Sequence, residues 1–355
     1  MTHWPITDLV ALTLLQGLTA ADIRMLATTT DSLEGALQLR AADATLFGTP
    51  CQALREIAEG AIRRAAAMHV QVLPWYDTRI PQRMRDAVDP PAVLWVRGPL
   101  PDTSTTCIGV VGTRTCTVSY GAPVTKAFVE RWVDAGCAIV SGLAGGIDTV
   151  AHETTLAARG VTVAVIASGI DRVGPLRARR LADAIVDHGG AIVSEYRCGQ
   201  AALPPFFPQR NRIISALSDA IVVVESGRTG GSLITAEFAR RHRRPLYAVP
   251  GPVTSSRSQG TNTLLRNGHA RALCTADELL DDLGVTRLPL GSTLPLTDPE
   301  RRVMHAMEGG DASVDVIAER CNASTAAMWT MLLEMELRGL VRQLPGGRFA
   351  ICTPL

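Results

Sequence analysis

Leu9, Leu12, Leu14, Leu15, Ile23, Leu26, Leu33 and Leu37 recur at helical spacing, broken at Gly17 and at Asp31-Ser32. The pattern predicts helices over residues 1–75. Within it, LLQGLTAADI admits two readings: a hairpin between helices that offers backbone N–H groups to DNA phosphate, or plain helical packing. The second hairpin glycine is missing, which favours packing. Over residues 105–285 the pattern changes. CIGVVG, AIVSG, TVAVIASG, AIVSEY, AIVVVES and LYAVPG are almost continuously apolar, and helical stretches separate them. Strands without polar alternation are covered on both faces, so these runs predict a parallel sheet between helical layers. Residues 76–104 end in the proline-rich DPPAVLWVRGPLP and read as a linker; a second linker spans 286–296.

The remaining residues, 297–355, read as three helices followed by GLVRQLPGGRFAI, a hairpin turning at Pro345-Gly346-Gly347. That order resembles a winged helix. Its third helix, about Ser324 to Arg338, carries Glu334 and Glu336 and little positive charge. Helices that read a DNA groove bring Arg or Lys to it. Met328, Trp329, Met331, Leu332 and Met335 predict a core plus a protein-facing patch, so protein contact or weak DNA contact is expected there. The fold class expected is α/β: an extended Rossmann-like, doubly wound, mostly parallel sheet, with helical and winged-helix-like flanks.

Composition narrows the function. The chain has 355 residues, is 46% hydrophobic and 19% charged, and should fold throughout. Its net charge of +1 excludes a global polycation, so any nucleic-acid site must gather its basic residues locally. The 8 cysteines form neither a C-x-x-C pair nor a zinc spacing, which points to reduced, buried thiols in a cytosolic protein without a structural metal. No apolar run reaches membrane-spanning length, and the N-terminus has no signal-peptide pattern.

The predicted strands end in Gly112-Thr113-Arg114, Ser141-Gly142, Ser168-Gly169, Ser194-Glu195, Glu225-Ser226-Gly227 and Pro250-Gly251. Ligands of open parallel sheets bind outside these ends, where helices present free N–H groups. A rim of small residues and arginines is an anion site, with phosphate the expected anion. Neither G-x-G-x-x-G nor a P-loop occurs, so no dinucleotide or triphosphate cofactor is expected. Gly230-Gly231-Ser232 offers a second backbone cradle.

In FFPQRNR, Arg210 and Arg212 are expected at or just before a helix start, with Asn211 free to cap. The helix dipole disfavours cations there. They either pair with Glu195 or Glu225 or grip phosphate. Phe206 and Phe207 beside them could stack a base, and at least one of the two is expected in the core. Ser141, Asp148 and His152 invite a hydrolase-triad reading, but Ser141 is in no nucleophile elbow, Asp148 suits a first helical turn and His152 suits a core. ARRHRRP, residues 239–245, reads as a solvated helix end on the sheet edge opposite the rim, with a secondary DNA path as the alternative.

Together VVGTR, SYG, IVSGLAGGIDTVAH, SEY, FPQRNRIISALS, VVVES, GGSLITAEFA, AVPG and QGTNTLLRNGHA resemble the DprA/Smf family of DNA-processing proteins. The resemblance implies a non-enzymatic, dimeric single-stranded DNA binder that protects incoming strands and helps load RecA recombinase onto strands covered by SSB. Its phosphate contacts would be Gly112, Thr113, Arg114, Ser141, Gly142, Arg210, Asn211, Arg212 and Ser232, with Gly231 beside them in the cradle. The family usually reads S-G-x-A-R-G-I-D; Gly145 stands here at the arginine position, removing one rim charge. The alternative is a nucleotide-processing enzyme, similar to nucleoside-monophosphate phosphoribohydrolases, in which Glu195 or Glu225 would act; TGGSLITAE lacks part of that family's P-G-G-x-G-T-x-x-E signature.

Overall fold

A computed structural model describes residues 4–15, 17–40, 51–285, 296–307, 310–337, 340–344 and 346–351. It divides into two compact units, Met1–Val285 and Thr286–Leu355. The linker expected at 286–296 lies, but for Leu296, outside the described residues.

The first unit opens with α1 (Ile6–Leu12), α2 (Ala20–Thr29), α3 (Leu33–Arg40) and α4 (Cys51–Ala67). Thr19 starts α2 through a capping box: the Asp22 N–H donates to its hydroxyl, and its own N–H donates to the Asp22 carboxylate at 2.8 Å. Leu54, Ala58, Ala61 and Ala65 give α4 one buried stripe. These helices share a core with Trp95, Ala164, Ile166 and Ile192 of the sheet. They are thus fused to it by apolar burial, each fully buried large side chain stabilising by roughly 1.5–3 kcal/mol.

The chain continues through β1 (Val70–Pro74), α5 (Gln82–Arg85), β2 (Val93–Arg97), β3 (Cys107–Val111), α6 (Gly121–Asp134), β4 (Ala138–Ser141) and α7 (Ile147–Ala157). Next come β5 (Thr162–Ile166), α8 (Leu176–Asp187), β6 (Ala191–Ser194), α9 (Phe206–Leu217), β7 (Ala220–Val223) and α10 (Ser232–Arg241). The unit ends with β8 (Leu246–Ala248), α11 (Gln259–Arg266), β9 (Arg271–Ala272) and α12 (Ala276–Asp282). β1 and β2 lie where helix and linker were expected. β1 pairs antiparallel with β2, and β2 antiparallel with β6, so both extend the sheet.

The nine strands run in the order β1-β2-β6-β5-β4-β3-β7-β8-β9, and β3 to β9 are mutually parallel. Side chains alternate between two cores: Ala138, Val140, Val163 and Val165 meet α9 and α10, whereas Ile108, Val110 and Ile139 meet α6, α7 and α12. Both faces are buried, which is why the strand sequences show no polar alternation. The winding reverses between β3 and β7, placing a switch point beside the β3 end.

The second unit holds α13 (Asp298–Ala306), β10 (Ala312–Ser313), α14 (Val314–Arg320), α15 (Thr325–Leu337), β11 (Val341–Leu344) and β12 (Arg348–Ile351). The strands pair in the order β10-β12-β11, a small wing against three helices. Met328, Leu332 and Met335 are buried with Val303, Ile317 and Phe349, and Trp329 packs edge-on to Phe349 at 5.5 Å. Glu334 and Leu333 on α15 are exposed.

Candidate nucleic-acid interface

The β3 end is fixed by packing. A Cβ on Gly112 would lie 2.4 Å from Ile147 Cγ1 and 2.9 Å from the Glu225 carbonyl, so glycine is required by the protein's own interior. The Thr113 N–H donates to the Glu225 carbonyl at 2.7 Å, and the Thr113 carbonyl accepts from the Ile147 N–H at 3.2 Å. The Glu225 carboxylate, 1% exposed, accepts from the Thr117 N–H at 2.8 Å and the Thr117 hydroxyl at 2.7 Å. The loop carrying Arg114 is therefore braced at both ends. Arg114 itself is exposed, with its guanidinium carbon 5.4 Å from the Phe207 ring centroid.

At the β4 end the Ser141 hydroxyl donates to the Val110 carbonyl at 2.6 Å and is fully buried. Arg210, 5% exposed, donates through Nη1 to the carbonyls of Gly142 (2.6 Å) and Val165. It closes the ends of β4 and β5 from beneath. Burial lowers its pKa to about 10, opposed by the nearby Asp148 carboxylate. Burial raises the Asp148 carboxyl, opposed by Arg210. A Cβ on Gly142 would sit 2.7 Å from Asp148 Oδ2 and 2.8 Å from Arg210 Nη2, so this turn also needs glycine for its internal partners.

His152 is fully buried, and burial drops its pKa to about 3. The Thr162 hydroxyl donates to the Ile139 carbonyl at 2.8 Å, so His152 Nδ1–H is the donor in its 2.7 Å bond to that hydroxyl. The neutral ring belongs to the core, with Ser141 turned toward Val110; no catalytic triad is assembled.

Phe206-Phe207-Pro208 form the first turn of α9, which moves Arg210, Asn211 and Arg212 inside the helix and corrects the expected helix-start position. Asn211 does not cap: it accepts from Arg210 Nε at 3.2 Å and donates to the Gly231 carbonyl at 3.2 Å. Arg212 ion-pairs with Glu195 and donates to the Asp89 carbonyl at 2.9 Å. Asp89 also accepts from His242 Nε2 at 2.8 Å, which knits the loop before β2 to α9 and α10. Of the two readings for these arginines, Arg212 takes the carboxylate pair. Ser232 is buried, with its hydroxyl donating to Ser226 Oγ at 2.9 Å, while Gly231 is exposed with open space at its Cβ. Phe206 stacks on Tyr196 at 4.1 Å, and both Phe206 and Phe207 are half-buried, so neither takes the core place expected of at least one of them.

Among the expected contacts, Arg114, Gly142, Phe207 and Arg210 meet at one cavity of about 450 Å³. Arg172 and Arg177, which the sequence reading missed, line it as well, beside apolar Leu143, Ile166, Val173 and Leu181. No carboxylate lines it among the described residues. The available signal was DRVGPLRARR, a run of arginines at the helix start that follows β5. Gly145 lines the same cavity; a Cβ there would meet only the Arg114 carbonyl, at 3.4 Å. Ser141, Arg212 and Ser232 lie outside its lining.

A doubly wound, mostly parallel sheet with arginines gathered at a cavity beyond its strand ends defines a Rossmann-like class of protein. The model of DNA recombination-mediator protein A matches residues 71–284, and that of the DprA winged helix domain matches residues 289–347. Protein Smf from Escherichia coli is 36% identical over 277 residues, covering 75% of this chain and 74% of that protein. DNA processing protein DprA from Bacillus subtilis is 35% identical over 215 residues, 60% of this chain and 71% of that one. The structure of DNA processing protein A from Streptococcus pneumoniae aligns with TM-score 0.64 at 28% identity, covering 79% of this chain and 98% of that chain. That of DNA processing protein A from Helicobacter pylori, studied for its single-stranded DNA binding mode, aligns with TM-score 0.53 at 27% identity, over 61% and 96%. The chain belongs to the DprA/Smf family.

Proposed function

We propose that this chain is a sequence-tolerant single-stranded DNA-binding recombination mediator without a catalytic step. In this reading it acts as a dimer in the cytoplasm, protects incoming strands and helps load RecA onto strands covered by SSB. The observation that carries the DNA reading is Arg114, exposed and lying against Phe207 at a cavity lined also by Arg172 and Arg177 and by no acidic side chain among the described residues. Guanidinium groups suit phosphate oxygens, and a base can replace Arg114 on the ring, a stacking worth roughly 1–3 kcal/mol whatever the base. The Helicobacter pylori relative, described as binding single-stranded DNA, supports the same ligand class. Arg210 and Arg212 then act by position: the first sets the cavity floor and the second anchors α9. The enzyme alternative loses its acids, since Glu225 is spent on Thr117 and Glu195 on Arg212.

The test is a salt-series titration with oligo-dT and with duplex. Four to six neutralised phosphates predict a log–log slope of about −3 to −4 for the single strand. Arg114→Ala should weaken binding similarly for all sequences. Oligo-dT binding unaffected by Arg114→Ala would remove the reading.

A further inference from the structure

Residues 297–355 carry eight acidic residues and six arginines, so the second unit is acidic on balance. One of its cavities has the opposite sign. It measures about 500 Å³ and is lined by Arg302, His305, Ala306, Arg320, Cys321 and Asn322, with no carboxylate among the described residues. Arg320 is held in place: its Nη1 donates to the Ala306 carbonyl at 2.6 Å, a cation at a helix C-terminus where the dipole favours it. Arg302 has no such internal duty. It stands one turn before Ala306 on α13, is exposed, and makes no ion pair or hydrogen bond among the described residues, whereas Arg301 beside it pairs with Asp298. Burial raises the Cys321 thiol pKa, opposed by Arg302, so the free guanidinium lies close to that half-buried sulfur. An exposed apolar side chain adjoins the cations: Val316, 38% exposed, shares a face of α14 with Arg320 four residues on. The lining selects an anion, and its layout selects a peptide over a strand. A sugar-phosphate chain needs cations repeated along a track. Here they stop at the turn into α15, whose exposed residues among those described include Leu333 and Glu334 and no base.

We propose that this cavity is a docking site for an acidic peptide segment of a partner protein, with Arg302 and Arg320 holding its carboxylates and Val316 receiving an apolar side chain beside them. The site lies wholly in the second unit and stands apart from the single-stranded DNA reading. Clusters of arginine recognise acidic motifs through bidentate forks. Arg302 can make such a fork without breaking an internal pair, and Arg320 is already oriented by the Ala306 carbonyl.

The experiment titrates the full chain with a short labelled peptide of alternating aspartate and phenylalanine, and with the same peptide carrying asparagine for aspartate. The acidic peptide should bind about tenfold more tightly or better. Arg302→Ala should weaken it about 5- to 10-fold and Arg302→Glu further, with oligo-dT affinity unchanged in both. Arg302→Lys should recover only part of the loss, because an ammonium makes no fork. Val316→Ser should weaken it about 2- to 3-fold. Arg114→Ala, in the first unit, should leave peptide affinity as it was. Equal affinity for the two peptides, or acidic-peptide affinity unmoved by Arg302→Glu, would overturn the site. Arg302→Ala that costs oligo-dT affinity and no peptide affinity would assign the cavity to nucleic acid and overturn it too. Wild-type protein that binds oligo-dT and ignores the acidic peptide would remove this inference and leave the proposed function standing.

Discussion

Arg114 and Arg212 show how differently one residue type can serve. Arg114 is exposed on a braced loop; Arg212 is 9% exposed and fixed on Glu195 and Asp89. Arg212→Ala should therefore lower the thermal midpoint strongly, since breaking a buried pair costs about 3–5 kcal/mol. Arg114→Ala should leave the midpoint within about a degree, matching a surface change within ±0.5 kcal/mol. Thermal melts of the two variants check this. His152 gives a pH signature. Unfolded, it takes a proton below about pH 6.5; folded, it stays neutral down to about 3. The unfolded chain binds more protons between those values, so this stabilisation is complete above the upper one and is lost as pH falls toward the lower. Asp148, shifted upward, contributes with the opposite sign, so the comparison must be with a variant. His152→Asn should flatten the loss of thermal midpoint between about pH 7.5 and pH 5. Sequence alone named these residues without their partners. Whether an arginine meets a carboxylate, a carbonyl or solvent depends on side chains 17 to 123 positions away, as with Glu195 and Asp89.

At the scale of elements, β3 to β8 were readable because both faces of the sheet are covered and their sequences are accordingly apolar. β1 and β2 were not. VQVLP follows α4 directly and VLWVR sits between prolines; their pairing rests on β6, about a hundred residues later. α9 was misplaced because Pro208 falls in its first turn, where it costs nothing, and the helix had begun two residues earlier. The β4–α7 turn is tight at Gly146, whose φ is +73° and whose Cβ would lie 2.2 Å from the Thr113 carbonyl. Gly145 beside it is open toward the cavity. Gly145→Arg should thus fold normally and tighten oligo-dT binding, about 3- to 10-fold at low salt, with one more unit of phosphate in the salt slope. A titration against wild type, paired with a melt, reads both outcomes.

For the whole molecule, the two units have separate cores, and α15 brings Glu334 and Leu333 to its surface. We propose that this second unit contacts protein more than DNA grooves. A chain ending at Val285 should retain oligo-dT affinity within about threefold of the full chain. A loss beyond tenfold would assign the second unit a direct share of the DNA. No helix among the described residues is long and apolar enough to cross a membrane.

The bracing of Thr117 by Glu225 reaches beyond stability. A loop already held in place before a strand arrives surrenders little freedom on capture. Encounter should then proceed by docking without a folding step, its heat capacity change arising from covered bases alone.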